Sequence, residues 1–346
     1  MASIATRRAF LAGSAALAGA VSMPAIVRAQ RRVLKISHYL APTHGIETDF
    51  LRPWAEEVKA RTGGAVNFEI FPVSSAFGKA ERQADQARAG IVDIAFGLSG
   101  IPRGRFPHTS LIELPFVVER AEAGSAALWQ LYRSGDLGNE YDDFKVLMLM
   151  THHGGLFHTV NRPVRTLEDL RGMRIRSPGP AVNAMLEFLG ASPVGMPPAQ
   201  IYESLERGAL DGLATTWDLV AAVRANEVLK HHTDARLYAA AFYTVMNRRS
   251  YDALPQEVRQ VIDETTGDAL QPKIGPWWDK WDAIGKQDAV KRGHAVVEVG
   301  QETREQWRQQ LQPMIAQYLQ SVKAEGVKDP EALYQKMLQL AQQKSR

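Results

Sequence analysis

The alternation of apolar segments between residues 33 and 97 restricts this chain more than any other feature. Val33-Leu34-Lys35-Ile36-Ser37-His38 alternates with the two-residue period of a strand, and residues 47–60 space their apolar side chains as a helix does before stopping at Thr62-Gly63-Gly64. Val66, Phe68 and Ile70 mark a second strand, residues 79–89 a second helix closed by Gly90, and Ile91 to Gly97 a third strand. Strand-helix-strand-helix-strand in that order requires parallel neighbours joined by right-handed crossovers, which places the chain in the α/β class. Open sheets of this kind hold ligands beyond the carboxyl ends of their strands. Here those ends are residues 38–44, 74–77 and 96–100, so His38, His44, Phe77 and Phe96 are candidate contacts.

The apolar strand 144–151 is expected to carry the chain into a second lobe, built from strands near 157–160, 174–177, 193–197 and 211–217 and helices over 181–189 and 198–207. Residues 240–247 read as a strand returning to the first lobe. From Pro255 helix dominates, as one long amphipathic element over 255–291 with a short interruption at Val296-Val297-Glu298-Val299. The expected division is residues 30–151 with 241–280 as lobe 1, 152–240 with 281–325 as lobe 2, and 326–346 as a C-terminal helical extension. A ligand cleft between two α/β lobes follows from that layout.

At the N-terminus, Thr6-Arg7-Arg8-Ala9-Phe10-Leu11 precedes a small and apolar run to Val21 and the cleavage-like Val27-Arg28-Ala29. This is the pattern of a twin-arginine signal peptide over residues 1–29, so a periplasmic protein starting near Gln30 is expected. Its removal takes Arg7, Arg8 and Arg28 from the 41 lysines and arginines, leaving 38 against 38 acids. A mature chain of zero formal charge gives no reason to expect a nucleic-acid partner. The absence of cysteine excludes disulfides and thiol catalysis. No later apolar run is long enough to span a bilayer, so direct membrane insertion is not expected and membrane work falls to a partner.

Within the second lobe, Met173-Arg174-Ile175-Arg176-Ser177 is a short strand entering a turn at Pro178-Gly179, and Arg174 and Arg176 share one of its faces. A guanidinium on a half-buried strand needs a partner. For Arg174 a structural salt bridge suffices. For Arg176, beside the Pro-Gly turn, a ligand carboxylate is preferred, because the planar fork matches it in bidentate fashion.

These residues also carry a resemblance. Leu167-Glu168-Asp169-Leu170-Arg171-Gly172-Met173-Arg174-Ile175-Arg176 resembles the "lEDLkGlkiR" signature of the DctP-type substrate-binding proteins of TRAP transporters, and Glu113-Leu114-Pro115-Phe116 is similar to that family's "ELPFl" segment. The segments around His38 to His44, 66–79 and 90–97 resemble its "shxlxptH", "veiyPagqlgk" and "GxxDiaxG" in the same order. The resemblance implies a two-lobed periplasmic binding protein, an organic acid anchored at Arg176, TRAP membrane subunits as partners, and no cofactor. The chain departs from the family at Thr215-Thr216-Trp217, where many members have a glutamate and an asparagine, and at Leu156-Phe157-His158-Thr159, where a second arginine is frequent. Without that second cation, a monocarboxylate with hydroxy, keto or aromatic character is expected before a C4-dicarboxylate. Trp217, Thr215, Phe157 and His158 are then candidate walls, joined by His153 and by Tyr243 and Asn247 on the returning strand.

The adjacent pairs His152-His153 and His231-His232 do not suggest a metal site, because neighbours on a strand point to opposite faces. No nucleophile elbow, Walker loop, dinucleotide fingerprint or HExxH motif is present. Glu113, Asp211 and Asp218 are scattered carboxylates of the kind that cap helices or pair with arginine. A secreted enzyme and a ligand sensor on the same fold are the rival readings.

Overall fold

Leu34 and Ile36 bury the apolar face of β1 (Arg32–His38) and leave Val33 and Lys35 outside, as the alternation dictates. The computed structural model describes residues 32–343, so the twin-arginine leader and its cleavage site lie outside the described residues. After β1 come α1 (Arg52–Arg61), β2 (Val66–Phe71), α2 (Gln83–Ala89) and β3 (Ile94–Leu98), and β1 pairs in parallel with both β2 and β3. The helix expected over 47–60 opens with a π-helical turn, Ile46–Leu51, before α1 begins. α3 (Ala121–Arg133) then leads into β4 (Phe144–Thr151).

The chain next crosses to a second sheet through β5 (Leu156–Thr159), β6 (Arg174–Ser177), α4 (Pro180–Phe188), β7 (Ser192–Gly195), α5 (Ile201–Glu206), β8 (Gly212–Thr215), α6 (Trp217–Ala222) and β9 (His231–Asp234). β10 (Ala241–Asn247) returns to the first sheet and slots antiparallel between β3 and β4. There follow α7 (Arg248–Asp252), α8 (Gln256–Thr265), α9 (Gln271–Lys291), β11 (Ala295–Glu298), α10 (Gln301–Ala324) and α11 (Pro330–Gln343). The first sheet has the order β2-β1-β3-β10-β4 and the second β11-β9-β5-β8-β6-β7. The chain therefore forms the two-lobed mixed α/β architecture expected.

Three local expectations differ. The element read over 255–291 is two helices, broken at a 3-10 turn, Gly267–Ala269. Gly267 has a φ of 60° and lies against the Trp129 ring, where a Cβ would come within 2.4 Å, so no continuous helix could pass. The interruption at 296–299 is strand β11, which pairs in parallel with β9 and closes one edge of the second sheet. Third, Trp217 opens α6 instead of ending a strand. α9 runs unbroken through residue 280, packing on α3 beside the first sheet and on α6 at the second. Among the described residues no helix is long and apolar enough to cross a membrane.

Candidate functional site

A cavity with about 480 Å³ of atom-free space opens where the carboxyl ends of strands from both sheets meet. The first sheet contributes Tyr39, Leu40 and His44 beyond β1, Phe96 and Leu98 from β3, His152 beyond β4 and Phe242 from β10. The second contributes Arg176 from β6, Thr215 at the end of β8, and Thr216 and Asp218 at the start of α6; Trp278 reaches in from α9. Much of the wall is a run of rings. Tyr39 stacks on Phe96 (centroids 5.9 Å, 17°), Phe96 on Phe242 (5.7 Å, 13°), and Phe242 tilts against Trp278 (5.8 Å, 30°). Rings offset in this way present an apolar face suited to a flat ligand.

Arg176 is the charge in this apolar setting. It is 1 % exposed, its Nε donates to the Met196 carbonyl at 3.3 Å, and among the described residues no carboxylate pairs with it. Burial lowers its pKa to about 10, which leaves it protonated at neutral pH. A buried charge without a partner costs several kcal/mol, so the fold holds this guanidinium at a standing penalty that a bound anion would relieve. Arg174, two residues earlier, meets the Asp211 carboxylate in a fork, with Nε to Oδ2 at 3.0 Å and Nη2 to Oδ1 at 2.7 Å, and stays exposed.

Two histidines on the wall have assigned tautomers. His44 Nδ1 accepts the Ile46 N–H at 3.1 Å, so Nε2 carries the proton and donates to Asp218 Oδ2 at 3.0 Å. That bond joins the segment after β1 to α6 and ties the two lobes across the cavity mouth. His152 Nε2 accepts the Ala240 N–H at 2.9 Å and its Nδ1 donates to the His153 carbonyl. Burial lowers the His152 pKa to about 4, so it is neutral at pH 7.

The family described as bacterial extracellular solute-binding protein, family 7 (DctP), matches residues 36–321. The chain belongs to this family. A solved relative, a TRAP solute-binding protein from Rhodoferax ferrireducens T118 in complex with copurified benzoate, is 31% identical with a TM-score of 0.85, covering 90% of this chain and 98% of its own. Another, from a marine metagenome and described as specific for aromatic acids, was solved with 3-hydroxybenzoate. It is 30% identical with a TM-score of 0.87, covering 92% of this chain and 100% of its own. The C4-dicarboxylate-binding periplasmic protein of Rhodobacter capsulatus is 25% identical over 92% of this chain and 95% of its own. These relatives are substrate-binding proteins of transporters, not enzymes.

Of the candidates read from the sequence, this solute-binding protein brings Arg176, Thr215, His44 and Phe96 together on the cavity wall. The others lie elsewhere, each for a physical reason. His38 is locked behind the wall by Glu47 Oε2 at 2.9 Å and by the Leu40 N–H. Phe77 packs edge-on against Phe71 beyond β2. His153, pointing away from His152, accepts the Ala121 N–H and pairs with Asp279. Phe157 joins the main core, and His158 bonds His232 through facing Nδ1 atoms at 2.7 Å. Trp217 is a core residue: His158 meets its indole edge-on and His232 tilts against it, and the backbone of α6 approaches α9 so closely that a Cβ at Gly285 would sit 2.1 Å from the Trp217 carbonyl. Tyr243 packs under Phe106, and Asn247, at the far end of β10, caps α7 by accepting the Ser250 N–H.

Sequence reasoning did not single out Tyr39, His152, Phe242 or Trp278, and it set Asp218 aside as an ordinary carboxylate. Strand alternation offers a signal for Tyr39, the neighbour of His38, and for Phe242, the neighbour of Tyr243. None exists for Trp278, which long-range packing of α9 delivers. Among the described residues no group of side chains could hold a metal ion.

Proposed function

We propose that this protein is exported through the twin-arginine signal and, in the periplasm, captures an aromatic monocarboxylate whose carboxylate is held by Arg176, for delivery to TRAP membrane subunits. The observation that carries the reading is the fully buried guanidinium with no carboxylate partner among the described residues, opening into a cavity walled by stacked rings. Benzoate and 3-hydroxybenzoate in two relatives at about the same fold support the aromatic class. Arg176 is the sole lysine or arginine among the residues lining the cavity. A dicarboxylate would bury its second charge unpaired, which is costly.

Calorimetry with benzoate, succinate and malate tests this. Benzoate should bind well above the two dicarboxylates. Charge-assisted hydrogen bonds contribute about 1.5–3 kcal/mol each, so Arg176→Ala should weaken benzoate by about two orders of magnitude or more, and Arg176→Lys should recover only part, because an ammonium lacks the fork. Near-normal affinity in a folded Arg176→Ala protein, or preference for succinate, overturns the reading.

A further inference from the structure

The cavity wall carries a carboxylate as well as Arg176. Asp218 is nearly buried, and its Oδ2 accepts the His44 Nε2 proton at 3.0 Å while its backbone N–H is fixed by Asp282 Oδ1 at 2.8 Å. Its Oδ1 has no hydrogen-bond partner among the described residues, and the side chain lies on the cavity wall. Arg176 bonds the Met196 carbonyl and Asp218 bonds His44, and among the described residues the two form no ion pair with each other although both line the cavity. The cation comes from β6 and the carboxylate from α6, so a ligand meets them at separate points of the wall that Tyr39 and His152 also line.

Resting on the reading of Arg176 as carboxylate anchor, we infer that Asp218 reads a hydrogen-bond donor on the far side of the ligand's ring, so that the solute class is aromatic monocarboxylates bearing a distal hydroxyl or amino group. The chemistry is directional. An ionised carboxylate can only accept, and because His44 already supplies one donor, the free oxygen calls for another from the ligand. A carboxylate turned toward Asp218 would meet a like charge, so Asp218 also sets which way round the ligand enters. The unsubstituted ring of benzoate would leave Oδ1 unpaired on closure, a penalty that a ring hydroxyl removes.

The test is titration calorimetry of the mature protein with benzoate, 3-hydroxybenzoate, 4-hydroxybenzoate, 3-aminobenzoate and 3-methoxybenzoate. At least one hydroxy or amino acid should bind tenfold or more tighter than benzoate, and the methyl ether, which keeps the oxygen and lacks the proton, should lose that gain. The hydroxyl and amino arms then show which donor is preferred. In Asp218→Asn, the amide would turn its carbonyl to His44 and its NH₂ to the cavity, converting acceptor to donor. The hydroxy-to-benzoate affinity ratio should fall at least fivefold in this variant, measured on material that melts cooperatively. Equal binding of benzoate and every donor-bearing acid by the wild-type protein overturns the inference without any variant, as does an unchanged ratio in folded Asp218→Asn. If none of these acids binds, the reading of the cavity as a carboxylate site falls, and this inference with it.

Discussion

Arg174 and Arg176 stand two positions apart on one strand and meet opposite surroundings. Arg174 lies at the exposed start of β6, where Asp211 supplies a two-bond fork; Arg176 lies two residues deeper, flanked by β7 and β8, where no carboxylate among the described residues does. Exposed ion pairs contribute little, so Arg174→Ala should leave benzoate affinity within about threefold of wild type and lower the melting temperature only slightly, in contrast to Arg176→Ala. Loss of binding in Arg174→Ala, read by the same calorimetry, would show that the exposed arginine matters to the ligand. The sequence already placed both side chains on one face and favoured a salt bridge for the first and a ligand for the second. It could not supply the depth of each, because burial depends on how far the neighbouring strands and the opposite lobe extend.

At the level of elements, the misplacement of Trp217 comes from a boundary of two residues. β8 ends at Thr215 and α6 starts at Trp217, so the chain turns at Thr216 and swings the indole away from the cavity while bringing Asp218 to it. A Thr-Thr pair before Trp-Asp is compatible with either a strand end or a helix start, and only the packing of α6 on α9 decides between them. Buried under His158, His232, Leu156 and Ala289, Trp217 is a packing residue. Trp217→Ala should therefore cost about 3–5 kcal/mol of stability, the range for emptying a large aromatic site. Chemical denaturation checks this; a variant as stable as wild type but weak in binding would return the tryptophan to the ligand wall. Elsewhere the elements were legible where periodicity is local, as in β1 to β3 with α1 and α2, and illegible where a remote contact intervenes, as at Gly267 beneath Trp129.

For the whole molecule, two sheets joined by several crossings could be anticipated from the order of strands, but the insertion of β10 between β3 and β4 and the completion of the second sheet by β11 depend on pairings across most of the chain. The same long-range packing buries titratable groups of both signs, and these set how stability responds to pH. His152, His232 and His158 are held neutral by burial, the first two with pKa values lowered to about 4 and about 3 and the third lowered well below the usual value. An unfolded chain takes up protons at these positions as pH falls below about 6.5, which the folded state refuses, so stability drops toward acid. Glu113 and Asp282 go the other way: burial, reinforced for Asp282 by the Asp218 charge, raises each to about 8. Unfolding releases their protons from about pH 4 upward while the folded state keeps them, so stability drops as pH rises toward 8. Well above about pH 6.5 the acids dominate, and below about pH 6 the three histidines outweigh them. The melting temperature of the unliganded protein should therefore peak near pH 6 to 7, roughly, and fall on both sides. Glu113→Gln and Asp282→Asn should each flatten the limb between pH 6.5 and 8, and His232→Gln the limb below 6.5, in melts followed by circular dichroism across a buffer series. A wild-type melting temperature that climbs steadily from pH 6.5 to 8 would mean that Glu113 and Asp282 are ionised in the folded state.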